Sequence, residues 1–385
     1  MREPSLTLGI EEEYQIVDPG TGELRSYITQ ILQDGEVIVR DLKPELHQSV
    51  VEVGSRVCRE PSEVRQEVLR LRREVMELAG EKDLTIMASG THPFASWLDQ
   101  EITPLERYLG IEADLQDLAR KNLIFGCHVH VGIEDADFLI ETMNVARYFL
   151  PPVLALSTSS PFWMGRDTGL KSYRSVVWRN FPRTGTPPTI GTWADYKYLI
   201  STLIRANSIQ DPTKIWWDVR PSYAYPTLEF RVCDMCTRVD EAVCVAAIFQ
   251  AIVAKLWKLH RDNLTFRLYP LALLSENKWR VVRYGLDGKI IDLGKGHEVP
   301  VRSLVNQLVD GFLGDVVDDL GTRDEVEYAF RILEDGTSAD RQLEVYRESG
   351  GDLQAVVRHL IEETARDCCD PRGRAAGHGQ RRSPE

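Results

Sequence analysis

Residues 9–18 read GIEEEYQIVD and place three consecutive glutamates inside a run that otherwise alternates like a β-strand. Successive strand side chains point to opposite faces. Glu11, Glu13 and Gln15 therefore share one face, while Ile10, Glu12, Tyr14 and Ile16 share the other. Neighbouring like charges repel, so the arrangement needs a physical reason. One is a solvated edge strand, where charge discourages edge-to-edge pairing. The other is a pair of carboxylates aimed at a cation. In both cases the segment commits the chain to a sheet with one strongly polar face.

Three further strand-like segments repeat the pattern. In ELHQSVVEV, Glu45 and Glu52 stand seven apart and would face opposite ways on one straight strand. Either Glu45 lies in the preceding loop or a bulge intervenes. Glu52 falls among Val50, Val51 and Val53, where an unpaired carboxylate is costly to bury, and a cation or an arginine would relieve that cost. In GCHVHVG, His128 and His130 share a face, and they could ligate one metal or be hydrogen-bonded core residues. In TLEFR, Thr227, Glu229 and Arg231 share a face, and an ordinary ion pair along the strand would explain them. If the four faces line one surface, five carboxylates and two imidazoles meet there. Like charges so close force protonation or recruit cations. Oxygen-rich ligation with a single imidazole suits Mg²⁺ or Mn²⁺ better than structural zinc, and magnesium usually keeps phosphate in its shell.

A basic complement exists. ENKWRVVRYG offers Lys278, Arg280 and Arg283, DVRP offers Arg220, and the 158–191 stretch adds Arg174, Arg179 and Arg183. Arginine forks suit phosphate and carboxylate. Arg280, Arg283 and Arg220 are the candidates for nucleotide phosphate; Arg174, Arg183 and His130 are those for substrate; Lys278 reads as surface charge. Neither GxxxxGK[ST] nor GxGxxG occurs, so no P-loop or Rossmann site is indicated. CDMC (233–236) lacks a second cysteine pair and does not read as a zinc site.

Strand candidates occupy 5–17, 47–54, 84–90, 123–133, 214–221 and 226–232, with a turn and short strand over 284–293. Helical spacing marks 61–83, 135–150, 193–209 and roughly 240–262. Residues 158–191 are rich in Gly, Pro, aromatics and Arg, too long for a passive connection, and suit a lid facing substrate. Small groups of strands between helices favour one α+β domain over 1–366, with a disordered tail over 367–385. No apolar run approaches the roughly 18 residues of a membrane span, and no secretory leader is evident. Seven scattered cysteines argue against a disulfide framework and suit the cytoplasm. The net charge of −13 argues against nucleic acid as a partner but leaves room for a local anion site. Small-molecule ligands are expected, and a homo-oligomer is compatible with the sequence.

LGIEEEYQIVD, ELHQSVVEVGS, GCHVHVG, FPRTGTPP, TLEFRVCD and ENKWRVVRYGLDG occur in the order found in the glutamate–cysteine ligase type 2 family. Over about residues 5–365 the chain resembles its carboxylate–amine ligases. The resemblance implies a glutamine-synthetase-like catalytic domain, whose curved, mainly antiparallel sheet with flanking helices holds ATP and divalent metals. By that comparison Glu11, Glu13, Glu45, Glu52, His128 and Glu229 are metal ligands, and Arg231 meets phosphate or the substrate carboxylate. Arg231 and Arg283 are the candidates for catalysis. The role of His130 stays open. Glu12 is not carried over; it faces solvent or an arginine, and its replacement by Gln is expected to be nearly silent. The expected reaction is ATP-dependent amide formation through an acyl phosphate, from glutamate and cysteine or another amine. Two alternatives remain: a metal-dependent amidohydrolase, and a non-catalytic nucleotide-binding protein of the same fold.

Overall fold

A computed structural model of the chain describes residues 2–28 and 41–368. The tail expected over 367–385 lies outside the described residues from 369 onward. Its first two residues are held in place, because the Arg73 guanidinium bonds the carbonyls of Asp367 and Cys368.

Seven strands form one sheet: β1 (Leu8–Val17), β2 (Leu42–Pro44), β3 (Val50–Gly54), β4 (Thr85–Met87), β5 (Gly126–Gly132), β6 (Val219–Pro221) and β7 (Thr227–Asp234). The order is β6-β7-β5-β1-β3-β2, with β4 also paired to β1, and every pairing is antiparallel. The α+β expectation therefore holds. β1 lies inside the sheet, so its charged face is no solvated edge.

The alternation in β1 separates two environments. Ile10, Tyr14 and Ile16 are buried in the core, where α1 (Pro61–Gly80) and α5 (Val239–Arg261) pack on the sheet. α1 forms where sequence spacing expects it, with Pro61 at its start and Val64, Val68, Leu71 and Val75 on the buried stripe. Arg72 lies on that stripe too, and its guanidinium pairs with Glu12 at 2.6 Å, both side chains being essentially inaccessible. Phe249 of α5 stacks on Phe230 of β7, with centroids 4.0 Å apart. By length and hydropathy α5 could cross a bilayer, contrary to the composition reading, but the fold buries it in the core.

Other helices used below are α2 (Leu150–Ser157), α3 (Tyr173–Trp178), α4 (Trp193–Arg205) and α6 (Leu271–Tyr284). The segment expected as one strand over 214–221 is split. Trp216–Trp217 pairs in parallel with Thr184–Gly185, whereas β6 joins the main sheet. Between them Asp218 is buried and takes the Lys278 ammonium of α6 at 2.8 Å. Lys278 is thus a partner in a buried ion pair, not surface charge.

The 158–191 segment is also more ordered than a free lid. It contains α3 and short strands at Phe162–Trp163, Arg166–Asp167 and Thr184–Gly185. The buried Asp234 carboxylate ties its start to its middle by accepting from Ser159 N, Ser160 Oγ and Ser172 Oγ at 2.7–3.0 Å.

Candidate active site

On the face opposite the helices, the strand register brings the polar side chains together. Glu11 lies across from His128, Glu13 from Glu52, and Glu229 from both His130 and Arg220. All of these line one cavity of about 310 Å³. Glu45, in the turn after β2, joins them, as do Arg174 from α3 and Arg231 from β7; Trp178, Phe181 and Trp216 form a wall. Glu45 reaches the same cavity as Glu52 because it follows the short strand β2 rather than sharing a strand with Glu52.

One half of the cavity is a cluster of Glu11, His130 and Glu229, whose ligand atoms all lie within 4.8 Å of one another. His130 Nδ1 meets Thr227 Oγ1 at 2.9 Å, which leaves Nε2 turned toward Glu11 at 3.7 Å. A hydrogen bond on one ring nitrogen that orients the other is the usual arrangement for a ligating histidine. His128 Nδ1 is 3.5 Å from Glu11. The Nε2 atoms of both imidazoles are buried without a hydrogen-bond partner. Arg220 grips Glu229 with two bonds at 2.8 and 3.1 Å, and Arg231 adds a third.

The other half holds Glu13, Glu45 and Glu52, where acid exceeds base. Burial and then the charge of Glu45 push Glu13 up to about 7. Burial also raises Glu45. For Glu52, burial followed by repulsion from Glu11, Glu45 and Glu13 pushes it well above the usual carboxylate range. Its nearest cation is Lys43, at 3.5 Å. In contrast, burial works upward on Glu229, but Arg231 and Arg220 overcome it and hold the carboxyl low. His128 is held down to about 3 by burial and then by Arg231, so it stands neutral, as a metal ligand must. Carboxylates that resist ionising together, beside two imidazole nitrogens that bond nothing, fit a hard divalent cation.

Gly126 shows how closely the site is packed. Its N–H donates to Glu13 at 2.6 Å, and a Cβ at this position would fall inside van der Waals contact with both Arg174 Nη2 and His128 Nε2. Gly126→Ala is therefore expected to push Arg174 out of the cavity and to lower kcat/KM by roughly tenfold or more, through misplacement of a charged group. Steady-state kinetics beside a thermal melt checks this; a normal kcat/KM would show that Arg174 tolerates displacement.

Residues 7–359 match the glutamate–cysteine ligase family 2 (GCS2). A relative from Roseiflexus sp. (strain RS-1), provisionally named glutamate–cysteine ligase 2, is 58% identical over 93% of this chain and 94% of its own. One of the same provisional name from Herpetosiphon aurantiacus is 54% identical, over 93% of each chain. The chain belongs to glutamate–cysteine ligase family 2. It is thereby an ATP-dependent ligase joining a carboxylate to an amine, as the ordered motifs imply. Among solved structures, a glutamate–cysteine ligase of Francisella tularensis crystallised with AMP aligns with a TM-score of 0.71 at 12% identity, covering 96% of this chain and 91% of that one. A bifunctional glutathione synthetase from Pasteurella multocida aligns at 0.67 and 13% identity, over 94% of this chain and 52% of that one. At such low identity these two establish the fold.

In this ligase the cavity collects Glu11, Glu13, Glu45, Glu52, His128, His130, Glu229, Arg174, Arg220 and Arg231. It does not collect Arg183, Arg280 or Arg283. Arg183 bonds the Lys214 carbonyl at 3.0 Å and lies over the Trp216 ring, outside the cavity lining. Arg280 pairs with Glu276 at 2.8 Å, and Arg283 donates to the Gly169 carbonyl, so this part of α6 braces a loop. Neither Arg280 nor Arg283 lines the cavity, so the structure does not bring them to the site where their expected nucleotide and catalytic roles would be exercised. Lys43, Arg107, Tyr223 and Tyr225 line the cavity without having been singled out. Lys43 had a signal, since it sits on β2 facing Glu52 two residues before Glu45. Arg107 had none, because only the tertiary fold brings its helix to the sheet.

Proposed function

We propose that this cavity binds Mg-ATP and an acid, forms an acyl phosphate, and lets an amine displace phosphate to give an amide. Glutamate is the acid and cysteine the amine that the relatives' names suggest. The observation that carries the reading is the meeting of five carboxylates, the imidazoles of His128 and His130, and four arginines in one cavity over the sheet, in a chain of this family. The AMP in the Francisella structure supports a nucleotide as the partner of such a face. Glu11, Glu13, Glu45, Glu52, His128 and Glu229, with His130 added by the geometry, would hold divalent cations, which when bound supply charge neutralisation on the triphosphate.

The chain's own groups account for the rest. Arg231 rests between Glu229 and the Trp178 ring, 5.7 Å from the centroid, so its fork is held in one place before phosphate arrives. Arg220 is fixed by Glu229 and by the carbonyls of Thr213 and Ile215, at 3.1 and 2.5 Å. Fixed donors stabilise developing charge without reorganising. The acid's carboxylate oxygen attacks the γ-phosphorus as the bond to the β-phosphate oxygen breaks and ADP departs. The amine nitrogen then attacks the acyl carbon, and phosphate leaves with the attacking oxygen, taking up the proton that the amine loses. An acyl phosphate hydrolyses readily, so water must be kept away. Trp178 and Phe181, both from the 158–191 segment, form with Trp216 a wall that suits that need.

The test is isotopic. Glutamate labelled with ¹⁸O in its side-chain carboxylate is expected to pass one labelled oxygen into the released phosphate, read by mass spectrometry. Label in AMP, or amide cleavage in the absence of ATP, would overturn the reading; the second result would favour an amidohydrolase.

A further inference from the structure

Beside the catalytic cavity runs a second hollow, an apolar groove of about 570 Å³. α4 gives it Tyr196 and Ile200, with the more exposed Ile204 at its outer end, and Leu139 and Trp193 extend the apolar lining. Among its lining residues only Glu134 and Lys197 are charged.

The groove and the cavity share a rim. Ser222, Tyr223 and Tyr225, in the tip between β6 and β7, line both. A second shared border lies at Pro212 and Thr213, the first lining the groove and the second the cavity. Tyr223 and Tyr225 are 68% and 62% exposed, large aromatic surfaces left in water beside the reacting groups. The Tyr225 ring meets the His130 ring edge-on, with centroids 6.3 Å apart. A ligand with its reacting end beside His130 and Glu229 therefore reaches the tyrosine rim with its next few atoms, and the apolar groove lies beyond it.

We propose that the groove is the side-chain subsite of the acceptor amine, and that the amine joined here carries a large apolar or aromatic side chain. The inference rests on the ligase reading above and sharpens it. The catalytic cavity is lined largely by ions, which suits an acid and a triphosphate. Cysteine, with a single thiol-bearing carbon, would leave the groove and both tyrosines uncovered. A branched or aromatic side chain would cover them, and apolar surface removed from water favours binding in proportion to its area. Such a pocket discriminates by size, one methylene being worth roughly tenfold or more in kcat/KM.

The experiment is a series of amines offered to the whole protein with Mg-ATP and glutamate: glycine, alanine, cysteine, leucine and phenylalanine. Amine-dependent phosphate release is read, and the amide is identified by mass spectrometry. Leucine or phenylalanine is expected to exceed alanine and cysteine in kcat/KM by roughly tenfold or more. In Ile204→Arg, a substitution at an exposed position of the groove, that advantage is expected to shrink to about twofold. Equal or better turnover of cysteine and alanine overturns the subsite while leaving the ligase reading intact. So does a preference that survives Ile204→Arg. A wild-type dimer that Ile204→Arg splits in sedimentation would also overturn it, making the groove an interface between copies. If no amine in the series stimulates phosphate release, the ligase reading and the subsite fall together.

Discussion

Glu52→Gln is expected to reduce turnover by roughly 10²–10³-fold while leaving the protein as stable as before, or slightly more so. In an unfolded chain this carboxyl would ionise near its ordinary value of about 4.3. In the fold, burial and the neighbouring acids push its pKa well above the usual range. A carboxylate whose folded pKa is raised makes stability fall as pH climbs from the unfolded value toward the folded one. At neutral pH its charge therefore opposes folding, and glutamine removes that opposition. Glutamine also removes an anionic oxygen from the acidic half of the cavity, where cation and phosphate would meet. Glu11→Gln should show the same loss of activity. Phosphate release and calorimetric melting on one preparation check both points. Normal turnover, or a melting temperature several degrees lower, would make Glu52 a structural residue.

Glu12→Gln is expected to have the opposite profile, a loss of about 3–5 kcal/mol in stability from a residue that touches no substrate. The expectation of a nearly silent substitution does not survive the structure. Glu12 faces away from the cavity and pairs with Arg72, which also donates to the carbonyls of Cys236 and Thr237 at 3.0 and 2.6 Å. The Tyr14 hydroxyl donates to the same carboxylate. Removing the charge leaves a fully buried guanidinium uncompensated, which costs more than the pair itself contributes. Denaturant titration of the two variants side by side should separate them. A Glu12→Gln midpoint within error of wild type would show that Arg72 finds another partner.

The strands and the shared face of Glu11 and Glu13 were legible because period-two alternation is a local property. It told apart the faces of Glu11 and Glu12 with no knowledge of the neighbours. The partner of Glu12 was legible in principle. Arg72 stands four residues after Val68 and three before Val75, on an apolar stripe where an arginine needs an acid. The errors share one cause. ENKWRVVRYG is basic, but sequence does not give the rotation of its helix relative to the cavity. α6 turns Lys278 inward to Asp218, pairs Arg280 with Glu276 one turn back on the same helix, and sets Arg283 against the Gly169 carbonyl. The anchoring of 158–191 was hidden likewise, because anchors such as Asp234 come from a distant strand, although the segment does face the cavity through Arg174, Trp178 and Phe181. His130 was ambiguous for a similar reason: its orienting contact, Thr227, lies on another strand.

The place of β1 in the sheet has a consequence for how the chain reaches its native state. β1 is made before every strand it pairs with, and those partners, β3, β4 and β5, extend to residue 132. β5 in turn waits for β7, which ends at residue 234. A nascent chain therefore carries Glu11 and Glu13 for more than two hundred residues of synthesis before Glu229 and Arg231 can dock beside them. Contacts so distant in sequence close slowly, because loop entropy must be overcome before pairing returns anything. Until β3 and β5 are made, β1 has two open edges, each able to pair with another unfinished chain. Its run of glutamates then repels copies of itself, and the charge that later serves the cavity first helps to keep growing chains apart.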